Sequence, residues 1–135
     1  MNTGKAIYRL LTDNSTVNGL VSGRVYQTRL PQSCSYPAIM IQKISDVPFK
    51  DNDGSDLWRA RMQVNSYATT QAAVQQLAVS VQAALDWTLQ TNVGGVNVVE
   101  ITLEDENDFT EDYAEFDGLF HVAQDYFVTY QKMYS

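Results

Sequence analysis

Residues 58–90 read WRARMQVNSYATTQAAVQQLAVSVQAALDWTLQ, and a change of period inside this stretch decides the fold. In its first eight residues Trp58, Ala60, Met62 and Val64 alternate with Arg59, Arg61, Gln63 and Asn65. A period of two places one face of a strand in a core and the other in a polar setting. From Thr69 or Thr70, either of which can serve as N-cap, the period becomes helical. Val74, Leu77, Ala78, Val81, Ala84, Leu85 and Leu89 fall on one stripe, with Gln71, Gln75, Gln82 and Asp86 mostly opposite. The spacing predicts a long helix stopped by Gly94 and Gly95. Its alanines let it lie close against a sheet. Arg59 and Arg61 carry two open readings: solvated charges on a bare sheet face, or a polar contact with another subunit.

Upstream, KAIYRLLT sets Ile7, Leu10 and Leu11 at helical spacing, and a second short helix is expected over Thr16 to Val21 with Ser15 as N-cap. Gly23 releases the chain into the extended segment RVYQTRL. Pro37 then begins PAIMIQKI, a strand favoured by Ile39, Ile41 and Ile44. SDVPFKDNDGSD, with Pro48 and Gly54, reads as the polar tip of a hairpin. Downstream, VNVVEITLEDEN is a strand with Val99, Ile101 and Leu103 inward, and GLFHVAQDYFVTYQKM is a long closing strand. The fold class expected is α+β: a mainly antiparallel sheet with one long and one or two short helices packed on one face, as a single domain over residues 1–135.

The totals exclude several functions. The chain of 135 residues carries a formal charge of −7, and its pI is near 4.4. Wrapping a phosphate backbone or docking on anionic lipid needs clustered Lys and Arg instead. No run approaches the roughly 18 apolar residues of a membrane span, and MNTGKAIYRLL lacks the apolar centre of a signal peptide.

The chemistry is equally sparse. Cys34, the one cysteine, would need a base to act as nucleophile. His121, the one histidine, sits on the last predicted strand, and no G-x-S-x-G elbow frames the thiol. Cys34 therefore reads as a loop residue and His121 as a strand residue facing solvent or a neighbour. Two such residues cannot supply a zinc site. DNDGSD (Asp51, Asp53, Asp56) places Gly54 fourth and Met62 at position twelve, which is a turn and not an EF-hand. Phosphate loops are absent. No catalytic residue, metal site or cofactor is expected. The acidic run EDENDFTEDYAEFD, residues 104–117, reads either as a solvated loop between the last two strands or as a surface that repels a polyanion or complements a basic partner.

TVNGLVSGRVY, the Pro-led YPAIMIQKIS, the passage RARMQVNSYATTQAAVQQLA and the late GLFHVAQDYFVTY follow one another in an order that resembles the tail-terminator, or tail-completion, proteins of long-tailed bacteriophages. The resemblance spans most of the chain. It implies a structural protein of the virion tail, not an enzyme. Such a protein forms a ring, usually a hexamer, that caps the head-proximal end of the tail tube, ends tube growth and meets the head–tail connector protein. It also implies partners in itself, the tail tube protein and the connector, assembly in the host cytoplasm from subunits that can be monomeric beforehand, no membrane contact, and DNA passing through without specific binding. Another head-completion ring is the alternative within this class. A small hydrolase using Cys34 and His121 is the alternative outside it. Two sets of site residues are expected. Phe49, Lys50, Asp51 and Asp53 at the hairpin tip, with Arg59 and Arg61, contact a neighbouring subunit or the tube. Asp105, Glu106 and Asp108 face the channel.

Overall fold

The structure, a computed structural model, describes residues 3–49, 57–111 and 119–131. Three helices, α1 (Thr3–Thr12), α2 (Ser15–Val21) and α3 (Gln71–Leu85), accompany six strands: β1 (Val25–Gln27), β2 (Ala38–Pro48), β3 (Leu57–Ala68), β4 (Thr88–Val93), β5 (Val96–Glu111) and β6 (Leu119–Gln131). The strands form one sheet in the order β1-β2-β3-β6-β5-β4. Only β1 with β2 is parallel. The helices pack together on one face, so the α+β class holds. Among the described residues no helix is long and apolar enough to cross a membrane.

Alternation in β3 works as its period requires. Ala60, Met62 and Val64 are buried beneath the helices, while Arg59 is exposed and Arg61 and Gln63 are partly so. Ile39 and Ile41 of β2 and Tyr126, Val128 and Tyr130 of β6 join them. Ile7 and Leu11 of α1 and Leu77, Val81 and Leu85 of α3 cover the layer. Each large aliphatic side chain sealed this way contributes roughly 1.5–3 kcal/mol. Polar residues also lie within the layer, Ser66 and Gln124 among them. Gln124 is fully buried, and its amide donates to Ala78 O at 3.1 Å and Glu106 Oε1 at 2.8 Å. It is tolerated because its donors are used.

Caps set the helix ends. Thr70 accepts from the Ala73 amide at 3.1 Å, as its position before α3 suggests. For α2 the cap is Asn14, which accepts from Val17 N at 3.0 Å, and Ser15 is the first helical residue.

Four segments depart from the sequence reading. The helix does not run to Leu89: it ends at Leu85, and Thr88–Val93 is a strand. Thr88 Oγ1 bonds back to Leu85 O at 2.8 Å, Asp86 accepts from Leu103 N at 2.9 Å, and Trp87 donates its amide to Ile101 O at 2.8 Å. These bonds draw the chain onto the sheet edge, with Trp87 left-handed at φ 64. Gly94 and Gly95 are not a helix stop. At φ 58 and 80 they turn the β4–β5 hairpin, the geometry that favours a Gly-Gly pair. The strand at Val96 continues to Glu111, so Asp105 to Glu111 are paired strand residues and not loop, and Glu104 is the extra residue of a bulge. A bulge between Val98 and Glu100 turns Val98, rather than Val99, inward, ahead of Ile101. A second bulge lies between Leu103 and Asp105. Finally, β2 runs on to Pro48 through a bulge between Lys43 and Ser45, so the hairpin tip begins later than expected.

Candidate functional site

The sheet face away from the helices carries the polar half of each strand. At its centre Arg61, on β3, lies opposite Phe127 on β6. Its Nε and Nη2 both donate to Asp125 Oδ2, at 3.3 and 2.8 Å, and Gln63 donates to Asp125 Oδ1 at 3.1 Å. The hydrogen bond to Asp125, then its charge, holds the Arg61 guanidinium above its ordinary pKa. Arg59 lies two residues earlier on the same face. Its guanidinium rests 5.0 Å from the Phe49 ring centre and 5.1 Å from that of Phe127, the cation–π range. Arg61 stands 5.8 Å from the same Phe127 ring. A surface groove of about 280 Å³ opens among Ser45, Val47, Pro48, Phe49, Arg59 and Phe127.

Phe49, Arg59 and Arg61 are thus brought together as the strand spacing suggests. Lys50, Asp51 and Asp53 lie outside the described residues. The acidic set is divided. Asp105 pairs in register with Asp125 and so shares the arginine face, whereas Glu106 reaches Gln124 and Asp108 accepts from Gln75 of α3 at 3.1 Å, both on the helix side. Strand alternation separates what a loop could have gathered.

The residues offered for catalysis have structural employment. His121 Nε2 lies 2.7 Å from Asn65 Oδ1, and its ring stacks on Tyr67 at 4.3 Å with a 15° tilt. Both partners sit on the neighbouring β3, so this is a cross-strand ladder. Cys34 lies on the connector before β2, where its Sγ is 3.1 Å from Ser35 O. Among the described residues no group of three or more His, Cys, Asp or Glu could hold a metal ion.

Apolar side chains stand out at both edges. Ile44 and Val47 on β2 are 49% and 56% exposed, and Trp87 and Leu89 on the other edge are 70% and 56% exposed. Leu89 was expected in a buried helical stripe, and its exposure follows from β4 being a strand at the sheet's margin. The Gly94-Gly95 pair between β-branched Val93 and Val96 is the hairpin signal that would have identified it.

The family model described as "Tail completion protein gp17" matches residues 5–131. Among solved structures, a chain from the virion of a native gene transfer agent particle superposes with a TM-score of 0.73 at 13% identity, covering 94% of this chain and 92% of that one. A second solved chain gives a TM-score of 0.58 at 14% identity, covering 98% and 95%. At these identities the likeness is one of fold. No curated protein sequence matches.

Proposed function

From a chain that belongs to the tail completion protein gp17 family, and is therefore a structural virion component and not an enzyme, we propose a ring of identical subunits that caps the head-proximal end of a phage tail tube. Closing the tube there ends its polymerisation and offers a surface to the head–tail connector. The family match over residues 5–131 carries this reading. The open face supports it: Phe49, Arg59 and Arg61 form an ordered, solvent-reached cluster suited to a neighbouring subunit or the tube. A ring lumen that passes DNA must not hold it, and a chain of net charge −7 meets that condition. In this reading Glu106 and Asp108, which share one side of β5, line the passage, and Asp105 belongs with the arginine face.

Purified protein mixed with isolated tail tubes, and separately with DNA-filled heads, tests the proposal by electron microscopy. Rings seated on one end of the tubes are expected. Binding to heads alone would move the protein to a head-completion ring.

A further inference from the structure

The register places five residues side by side in one row across the open face. Val47 pairs with Arg59, Arg59 with Thr129, Thr129 with Glu100, and Glu100 with Leu89. From edge to edge the row therefore runs apolar, basic, polar, acidic, apolar. Its two ends, Val47 and Leu89, are both 56% exposed. Among the described residues neither Arg59 nor Glu100 has an ion-pair partner, and stacking on Phe49 and Phe127 holds Arg59 in place.

The asymmetry extends beyond the row. From Met62 to Gln131 the chain contains no Lys or Arg, so β5 and β6 carry only negative formal charge and α3 and β4 carry none. Arg24, Arg29, Lys43, Arg59 and Arg61 all belong to the side built from β1, β2 and β3. Trp87 stands on the acidic side, its amide bonded to Ile101 O next to Glu100.

We propose that a second copy of this chain seats its Val47–Arg59 edge against the Leu89–Glu100 edge of the first. The two apolar ends then meet, and Arg59 of one copy and Glu100 of the other, each one strand in from the seam, lie three strand spacings apart, roughly 14 Å, where they attract at long range. Charge complementarity of this kind fixes partner and register more than raw affinity. Because the two surfaces differ, the contact is head-to-tail, the type that closes into a ring when the rotation per subunit fits. The inference rests on the ring reading above and names the surfaces that would make the ring.

Three variants test it by native mass spectrometry and sedimentation at low and high salt, alone and with isolated tail tubes: Arg59→Glu, Glu100→Arg and the double exchange. Circular dichroism establishes that each folds. A fourth variant, Leu89→Ser, probes the apolar end at an exposed site where folding is not at stake. Each single reversal should weaken self-association by about threefold at low salt and less at high salt, and the double exchange should recover most of it. Leu89→Ser should weaken it comparably. If the wild type forms rings and none of these variants changes them, the proposed contact is wrong and the ring reading stands. If the singles abolish tube binding but leave self-association intact, the row is a tube contact and the proposal falls. If no self-association occurs even on tubes, the ring reading fails first.

Discussion

On the helix-covered face of the sheet Met62, Val64, Tyr126 and Val128 are sealed from solvent, whereas one residue along the same strands Arg61, Gln63 and Phe127 stay partly exposed and Arg59 is exposed. The covered face is held by area removed from water, which is non-directional and large in sum. The open face is held by cross-strand pairs: Arg61 with Asp125, His121 with Asn65 and Tyr67, and Arg59 with two aromatic rings. Such pairs are individually small. The first face specifies that the chain folds, and the second is free to specify what the folded chain meets.

Truncation on the covered face should have the largest effect. Leu77 is fully buried in the main core, so Leu77→Ala should cost about 2–5 kcal/mol of stability through lost transfer energy and a cavity. Urea unfolding measures it. A loss below 1 kcal/mol would mean that α3 is not clamped to the sheet as described.

Tyr130 comes next. Its hydroxyl donates to Asp46 Oδ2 at 2.6 Å, an oxygen that also receives Lys43 Nζ at 2.6 Å. Tyr130→Phe should cost roughly 1–2 kcal/mol by removing one hydrogen bond to a charged acceptor. Burial first, and then Asp46, raises the Tyr130 pKa above its ordinary 10, and burial does the same for Tyr126. A raised phenol favours the folded state fully below pH 10 and loses that contribution as pH climbs beyond it. Thermal melting followed from pH 8 upward, wild type against Tyr130→Phe, should show the shallower alkaline decline in the variant.

Arg61→Ala, on the open face, should have the smallest effect on folding. Its side chain is 40% exposed and solvent can replace it, and Gln63 still donates to the largely buried Asp125, so the loss should stay near about 1 kcal/mol in denaturant titration. A cost of several kcal/mol would erase the distinction between the faces.

The covered face was the more legible in sequence. Hydrophobic period alone marked Ala60, Met62 and Val64 as inward and placed the helix whose stripe includes Leu77, Val81 and Leu85. The same rule failed at Leu89, because one apolar residue four positions after another fits a helical stripe as well as an exposed edge strand. The Val93-Gly94-Gly95-Val96 turn points to the strand, and the long-range bonds from Asp86 and Trp87 to β5 fix it. Period failed again at Val99, where one extra residue inverted the parity of β5. For the acidic run, charge density outweighed strand pairing with β6, which no local pattern reveals. On the open face the cluster of Phe49, Arg59 and Arg61 was legible from position. The row ending at Leu89 was not, since it depends on the registers of four strand pairs.

The bulges in β2 and β5 have a consequence for solubility. A straight sheet margin is a template for further strands, and proteins that expose one risk stacking into fibres. Here Ile44 projects where the β2 ladder slips between Lys43 and Ser45, and the β5 ladder slips twice. A regular strand laid along either margin would lose register within a few residues. The slipped ladders in this way keep the exposed margins from seeding a stack of copies.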